Sequence, residues 1–439
     1  MGSMRKRRPM LVAVAGMGAL ALALAACSAF LSGTSASRAT LSFDFVGTTG
    51  NTAIPTTLKT LSRNECRAEN DAQPLRITTQ APATLARRLL HLADQRKLPH
   101  AFITPRSLAV TSQLATQGRV QDVGAALEQL GLSNAIVPAA RSTIGALYDG
   151  EDVVLPTEFH IEGIWYNKTL LAAHGVAVPT TWDELVAAFA KLKAAGVQPV
   201  AQAGKGGDGW GVTRWVGDYI ARDLGPDAMK AVKDGTAKLT DPQYVRAAET
   251  IATLGKQGYF GTSPTSVDYA TALSTFLSGK AAFTYLGSWA VADFDNPAEN
   301  KIGAKAIGFM PFPTVAGGQG SADQMPTDLG TSVALSARGF THHPTSQNWV
   351  RCIVENYGTV ALRDSGQITG FRTAGTAKVS DLTALVQHQI AGISTSILWF
   401  EAYFDAKATA TSQDDGGLLA SGTLTGAEFM TQVQADLGS

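Results

Sequence analysis

The sequence contains few charged residues and no excess of either sign. Only 16% of its 439 residues are charged, and 36 Lys and Arg balance 36 Asp and Glu. Nucleic-acid-binding proteins carry a strongly basic surface, so this class is excluded. The 44 Gly and 18 Pro follow no period, and hydrophobic residues make up 45% of the chain, which excludes collagen-like and wholly disordered proteins. A chain of this length is expected to fold into two domains or lobes.

Motifs of common catalytic and metal sites are also missing. The chain has no Gly-x-Ser-x-Gly elbow, no His-Glu-x-x-His motif and no Walker loop, and none of its three Cys are spaced as zinc ligands. We therefore predict a protein that is not an enzyme and that uses no metal or cofactor. Because paired carboxylates can come from anywhere in a chain, an exported glycan hydrolase stays open as an alternative.

The N-terminus differs in composition from the rest of the chain. A basic cluster precedes an uncharged run, 10–26, which is the pattern of a secretory signal. At ~17 residues the run is short for a membrane span, although a permanent membrane anchor is the alternative. The order Leu24-Ala25-Ala26-Cys27 resembles the lipobox of bacterial lipoproteins, which implies a signal peptide over 1–26 and lipidation of Cys27. Residues 27–40, rich in Ser, Thr, Ala and Gly, are predicted to form a flexible tether after that cysteine.

Strand-like and helix-like segments alternate after the tether. Apolar runs at 41–46, 75–79 and 101–104 are separated by helical patterns, the clearest of which covers 83–96. This alternation predicts an α/β lobe with a largely parallel sheet. Ligands bind at the carboxyl ends of such strands, so the loops after 46 and 104 are candidate site loops.

Two helices further along have well-defined starts. Thr181 with Glu184, and Thr425 with Glu428, have the spacing of capping boxes. Apolar residues at helical spacing follow both of them. Trp182 belongs to such an apolar face and is predicted to lie in the core.

Three sequence blocks together resemble one protein family. They cover 163–201, 276–289 and 307–313, and they include Tyr166-Asn167-Lys168, Pro179, Thr181-Trp182-Asp183-Glu184, Gly287-Ser288-Trp289 and Met310-Pro311-Phe312-Pro313. In order and spacing these blocks are similar to the extracellular solute-binding proteins, family 1 and maltose-binding-like, of bacterial ABC sugar importers. The segment between the tether and the first block matches this family poorly.

The resemblance implies an α/β, two-lobe periplasmic-binding-protein fold of type II, cluster D-like, with three hinge crossovers. The first lobe would comprise 41–158 and 312–372, and the second lobe 159–311 and 373–439. In proteins of this kind a ligand is enclosed when the two lobes close about the hinge.

The crossovers implied by the resemblance lie near 156–161, 310–313 and 370–373. Cys66 and Cys352 then both fall in the first lobe. Two thiols in one lobe of an exported protein can pair, so the resemblance raises the prospect of a disulfide between them.

A sugar site needs aromatic faces for the apolar side of the ring and polar groups for the hydroxyls, because a buried unpaired hydroxyl costs about 1–3 kcal/mol. By resemblance, Trp289 matches the family's stacking tryptophan, Trp399 lies where relatives present an aromatic, and His160 lies where relatives place an acid. Trp210, on a glycine-rich loop, is expected to cover the ligand. The remaining predicted ligand-binding residues, which supply polar groups, are Glu158, Asp328, Arg372 and Thr48.

The predicted function is capture of a carbohydrate and its delivery to the permease subunits of an ABC transporter. The protein is expected to be a monomer, exported and anchored to the outer face of the cytoplasmic membrane through Cys27. The resemblance also covers proteins for other solutes, so a polyol or glycerophosphate ligand is an alternative. A further alternative is a lipoprotein sensor subunit that binds a partner receptor.

Overall fold

The computed structural model describes residues 41–105, 107–341, 344–375 and 378–438. The predicted signal peptide 1–26, the tether 27–40 and the lipidation site Cys27 lie outside the described residues. None of the helices in the described part of the chain is both long and apolar enough to cross a bilayer.

The strands fall into two sheets and the helices pack around them. The strands are β1 (Phe43–Thr48), β2 (Leu75–Gln80), β3 (Ala101–Ile103), β4 (His160–Asn167), β5 (Gln198–Val200), β6 (Ala281–Gly287), β7 (Ile307–Met310), β8 (Gln324–Asp328), β9 (Val333–Leu335) and β10 (Thr395–Ile397). The helices are α1 (Ala53–Arg63), α2 (Arg67–Ala72), α3 (Pro82–Asp94), α4 (Leu108–Thr116), α5 (Val123–Gln129), α6 (Pro138–Leu147), α7 (Lys168–Ala173), α8 (Trp182–Ala194), α9 (Trp210–Leu224), α10 (Ala228–Lys233), α11 (Pro242–Lys256), α12 (Tyr269–Leu277), α13 (Val291–Asp295), α14 (Ala337–Thr341), α15 (Pro344–Ser365), α16 (Asp381–Ala391), α17 (Ala406–Ser421) and α18 (Gly426–Asp436).

The first sheet has the strand order β2-β1-β3-β9. Strand β1 is parallel to β2 and β3, whereas β9 enters from later in the chain and is antiparallel to β3. The predicted strands and the helix at 83–96 are confirmed within a few residues. The largely parallel arrangement predicted for this lobe is also present.

The second sheet has the order β10-β8-β4-β6-β5, and β7 also pairs with β4. Strand β4 is antiparallel to β6, β7 and β8. The outer strands β10 and β5 are parallel to their neighbours β8 and β6, so this sheet is mixed. Helix α8 begins with the predicted capping box: the Glu184 amide donates to Thr181 Oγ1 at 3.3 Å, and the Thr181 amide donates to Glu184 Oε2 at 3.2 Å. The same reciprocal bonds begin α18 at Thr425 and Glu428. Trp182 is 7% exposed, which confirms its place in the core.

Separate hydrophobic cores divide the described chain into two lobes. The first core is built from residues up to Phe159 and from Leu329 to Phe371. The second lobe's two clusters begin at Ile161, include Phe312 and Met325, and resume at Leu382.

Two chain segments that cross between the lobes run side by side. Leu155 bridges Val333 in the first lobe, and His160 pairs with Asp328 where β4 meets β8. Because β7 and β8 both pair with β4, the chain stays in the second lobe until Asp328. The second crossover therefore lies near 328–333, later than the predicted 310–313.

The third crossing segment packs against the first. The amide of Gly370 donates to the Pro156 carbonyl at 2.9 Å, and Phe371 bridges Ile136. Phe371 is still part of the first core, and the next core residue, Leu382, belongs to the second lobe.

A disulfide joins Cys66 and Cys352 inside the first lobe, with their Cα atoms 5.8 Å apart. Cys66 immediately precedes α2 and Cys352 lies on α15, and both are buried in the first core. The bond therefore ties the beginning of this lobe to its returning segment.

Candidate ligand-binding site

Strand β4 carries the first polar groups of the candidate site. Because side chains alternate along a strand, His160 and Glu162 face the same side of the sheet. The half-buried His160 ring meets the Trp289 ring edge to face at 5.6 Å, and its Nδ1 lies 3.5 Å from Ser288 Oγ. Asp328 lies directly opposite His160 in the β4–β8 ladder.

Four partly exposed aromatic residues lie beside this strand, and we call them the aromatic cluster: Trp210, Tyr269, Trp289 and Trp399. The ring centroids of Trp289 and Trp210 are 5.8 Å apart, and Trp210 stacks on Tyr269 at 6.3 Å. Trp210 begins helix α9, so it does not lie on the predicted loop.

Gly287 allows the Trp289 ring to fold back over the end of β6. A Cβ atom at residue 287 would lie 2.0 Å from Cζ3 of Trp289, closer than any side chain tolerates. The Gly-Ser-Trp order noted in the sequence therefore has a steric reason.

Arg214 links Trp399 to the rest of the aromatic cluster. Its guanidinium carbon lies 5.3 Å from the centre of the Trp210 ring and 5.8 Å from that of Trp399, within the range of cation–π contacts. Its Nε donates to Glu162 Oε2 and its Nη1 to Glu401 Oε2, both at 2.7 Å. One buried cation therefore holds two glutamates and two indole rings.

Burial and the neighbouring charges together shift the pKa values of these groups. Burial raises the pKa of Glu162, although the positive charge of Arg214 opposes this shift. Burial by itself would lower the pKa of Arg214, but Glu162 and Glu401 outweigh it and the net shift is upward. Burial also lowers the pKa of His160 against the opposing charges of Asp328 and Glu158, so the imidazole is neutral at pH 7.

Glu158 connects the crossover to the end of β1. Its Oε1 accepts from Asn51 Nδ2 at 2.8 Å, and its Oε2 accepts from the Thr331 amide at 2.7 Å. Asn51 in turn bridges Thr48, the last residue of β1. The first lobe therefore reaches the candidate site through the side chains of Asn51 and Glu158.

Gly330 fills the narrow space between the two crossover segments. It adopts a left-handed backbone with φ of +54°, and a Cβ there would lie 2.4 Å from Glu158 Oε2 and 3.1 Å from His160 Nε2. The Gly330 amide donates to Asp328 Oδ1. Only glycine combines this conformation with such close packing.

Seven of the predicted ligand-binding residues are joined by this continuous set of contacts: Thr48, Glu158, His160, Trp210, Trp289, Asp328 and Trp399. Arg372 is not among them. Its exposed side chain donates from Nε to the Asn134 carbonyl at 2.7 Å, and its amide donates to the Ala135 carbonyl. The first lobe thus holds Arg372 away from the aromatic cluster.

Sequence reasoning did not find Arg214, Glu401, Tyr269 or Asn51. Arg214 follows Trp210 by four residues, a spacing that places both on one face of a helix. That signal was hidden because the glycine-rich residues before Trp210 indicated a loop rather than the start of α9.

Comparison with known proteins places the chain in a family. The family model for bacterial extracellular solute-binding proteins matches residues 95–338. A probable sugar-binding periplasmic protein of Rhizobium meliloti (strain 1021) is 26% identical over 261 residues, which cover 56% of this chain and 59% of that protein. The match thus spans less than two thirds of the relative's length.

Solved structures show the same fold over nearly the whole described chain. A probable secreted solute-binding lipoprotein from Streptomyces coelicolor superposes with a TM-score of 0.74 at 20% identity, covering 90% of this chain and 98% of that one. A chitin oligosaccharide binding protein gives a TM-score of 0.71 at 21% identity, with the same coverage of both chains. With this two-lobe fold and a family model matched over more than half of its length, the chain belongs to the bacterial extracellular solute-binding proteins.

Proposed function

We propose that this protein binds a carbohydrate between its lobes, at the aromatic cluster and the crossover residues, and delivers it to the permease of an ABC transporter. The observation that carries the proposal is the aromatic cluster, whose four rings are partly exposed although each is anchored by neighbouring side chains. Sugar rings stack their apolar C–H faces on such aromatic surfaces.

The polar groups beside the rings suit the hydroxyls of a sugar. Asp328 is half-buried, and among the described residues its Oδ1 accepts a bond only from the Gly330 amide, so the carboxylate has acceptor capacity left for a ligand. His160, half-buried and neutral, offers one donor or one acceptor at each ring nitrogen. His160 contacts Trp289 and Asp328 lies opposite His160, so a sugar stacked on Trp289 would present its hydroxyl edge to this pair.

The charge of the candidate site favours a neutral solute over a phosphorylated one. Among the described residues of the site, four acids surround one cation: Glu158, Glu162, Asp328 and Glu401 against Arg214. Because Arg214 already contacts two carboxylates, it has little attraction left for a phosphate. A sugar or another polyhydroxy compound is therefore preferred to a glycerophosphate.

Membership of the family and the names of the relatives support export and transport. The Rhizobium relative is named a probable sugar-binding periplasmic protein, and the Streptomyces protein a probable secreted solute-binding lipoprotein. We further propose that the lipidated Cys27 anchors the protein to the membrane and that the protein binds its ligand without catalysis. It would act as a monomer whose closed form is recognised by the permease.

A thermal-shift screen of residues 41–439 against mono-, di- and oligosaccharides, polyols and glycerophosphates tests the proposal. A bound ligand stabilises only the folded state, so the melting temperature rises with its concentration. For the best ligand, Trp289→Ala and Trp399→Ala should each weaken binding about tenfold or more, while Trp289→Phe, which keeps an aromatic face, should weaken it less. The oligosaccharides should be recovered intact.

Two results would contradict this function. Equal affinity of Trp289→Ala and the unaltered protein would remove the aromatic cluster from the site. Cleavage of the oligosaccharides would support a hydrolase instead.

A further inference from the structure

A second concave site lies in the first lobe, on elements that do not take part in the candidate ligand-binding site. It is a cavity of about 500 Å³ between the ends of α3 and α4 and the start of α14. Of the described residues that form its wall, three are arginines, Arg96, Arg119 and Arg338, and none is acidic.

Arg119 is the most enclosed of the three. Its side chain is half-buried, and its Nε is buried without a hydrogen-bond partner in the described structure. The Arg119 carbonyl accepts from the Ala337 amide at 3.0 Å, which holds the residue next to α14. This Nε is enclosed by the protein, so Arg119 would meet a ligand in the cavity through the accessible part of its half-buried side chain.

Arg96 and Arg338 meet at the rim of the cavity. Arg96, two residues beyond the end of α3, has a positive φ of +55°, which is uncommon for a residue with a side chain. Its carbonyl accepts from Arg338 Nη1 at 3.1 Å. The unusual turn at Arg96 therefore brings a second guanidinium to the cavity and orients it.

The positive charge around the cavity does not follow from the composition of the whole chain. The whole chain has a formal net charge of zero, yet three cations share this cavity. Within the described ranges, none of the three forms an ion pair, whereas Arg76, Arg141 and Arg363 of the same lobe all do. Three like charges around one cavity repel one another unless an anion lies between them.

We propose that this cavity binds a phosphate group, carried either by a small soluble molecule or by a phospholipid headgroup. The planar guanidinium forms paired hydrogen bonds with phosphate oxygens, and three of them match the several acceptor oxygens of that group. The volume of the cavity is within the range of small-molecule sites. This site is independent of the sugar proposal, which rests on different residues.

Titration calorimetry of residues 41–439, which belong to one compact unit, with inorganic phosphate at constant ionic strength tests the proposal. We expect saturable binding that chloride does not reproduce. Arg119→Gln and Arg338→Gln should each weaken it at least about tenfold, because each removes hydrogen bonds to a charged group. Arg88→Gln is the matched control: Arg88 is exposed on α3 but does not line the cavity, and its replacement should leave the affinity unchanged.

A flotation assay with vesicles of phosphatidylcholine, with and without phosphatidylglycerol, distinguishes the two sources of phosphate. Binding to the phosphatidylglycerol vesicles that Arg119→Gln and Arg338→Gln abolish and Arg88→Gln preserves would assign the lipid headgroup. Binding of inorganic phosphate alone, with the same dependence on the variants, would assign a soluble ligand.

The proposal is overturned if neither probe binds, or if the arginine variants bind as well as the Arg88→Gln control. Because Arg338 is exposed, its replacement should leave the fold intact, and urea unfolding of the variant checks this. Sugar affinity, measured on the same samples, should be unchanged by both variants, so failure here and failure of the sugar proposal give different results.

Discussion

The side chain of Arg214 joins three separate parts of the chain. It lies on α9, one glutamate partner lies on β4 and the other follows Trp399. Glu401 is itself held by Thr213 and Ser412, whose hydroxyls donate to its Oε1. At the residue scale, the positions of Trp210 and Trp399 depend on one buried cation with two carboxylate partners.

Replacement of Arg214 by Met should destabilise the protein by about 3–5 kcal/mol, because it leaves two glutamates buried without a countercharge. Urea unfolding followed by tryptophan fluorescence measures this loss. The triple variant Arg214→Met, Glu162→Gln, Glu401→Gln is the control.

The triple variant should recover much of the lost stability, since it leaves no uncompensated charge in the core. It should still bind sugar poorly, because both indole rings have lost the cation between them. A single variant that unfolds at the same urea concentration as the unaltered protein would contradict this role.

Helix α9 carries a polar stripe into the core of the second lobe. Arg214, Asp218 and Arg222 follow one another at intervals of four residues and therefore share one face. Arg222 donates from Nε to the Phe312 carbonyl and from Nη1 to the Gln324 carbonyl, which fastens the segment before β8. Asp218 and Tyr285 are both buried beside this stripe, and the Tyr285 hydroxyl interacts with the Asp218 carboxyl.

The stripe makes stability depend on pH through Asp218. Burial raises the pKa of this carboxyl from 3.8 to about 7, against the opposing charge of Arg222. Between these two values the folded state holds a proton that the unfolded state has lost, so the stabilising contribution is complete below pH 3.8 and is lost as the pH rises through about 7.

The variant Asp218→Asn, which resembles the protonated carboxyl, should remove this dependence. The free energy of unfolding of the unaltered protein, relative to that of the variant, is expected to fall between pH 4.5 and pH 7.5. Urea unfolding at several pH values in this interval measures it. A difference that stays constant with pH would show that Asp218 has an ordinary pKa.

Elements with local signals were predictable from the sequence, and those set by distant pairing were not. The capping boxes at Thr181 and Thr425 define α8 and α18 because a cap and its helix are neighbours in the chain. Strand β8 carries no comparable signal. Its place in the second sheet comes from the pairing of Asp328 with His160, and this is why the second crossover was predicted too early.

The residues of the candidate site also divide into those with a signal in the sequence and those without one. Trp289 was predicted from the family resemblance, and Trp210 was predicted because it follows a glycine-rich segment that is visible in the sequence. Glu401 was missed because a buried ion pair between distant residues leaves no pattern of spacing, and Arg214 was missed because the residues before Trp210 indicated a loop. Arg372 was placed at the site by its position in the chain, whereas its side chain is bound by Asn134 of the first lobe.

At the scale of the whole molecule, each lobe is assembled from two separate stretches of chain. The disulfide between Cys66 and Cys352 joins the two stretches of the first lobe across a sequence separation of 286 residues. A cross-link that closes so long a loop restricts the unfolded chain strongly.

The double variant Cys66→Ala, Cys352→Ala should therefore lose about 2–5 kcal/mol of stability. Urea unfolding provides the measurement, and the unaltered protein in reducing agent is the matched control, since it should lose a similar amount. Sugar affinity should be preserved because neither cysteine contacts the candidate site. Equal stability of the oxidised protein and the variant would contradict the prediction.

The strand order of the first sheet also determines when this lobe can be completed during synthesis. Strand β9 pairs with β3 at one edge of the sheet, so the sheet lacks this edge strand until Leu335 has been synthesised. The core of the lobe also lacks α15 until Ser365 has been synthesised. A fragment that ends anywhere within the second lobe therefore contains an unfinished first lobe. We therefore expect that the stretch 41–158 will not fold when it is produced alone, and that the first lobe will become protease-resistant only after most of the chain has been synthesised.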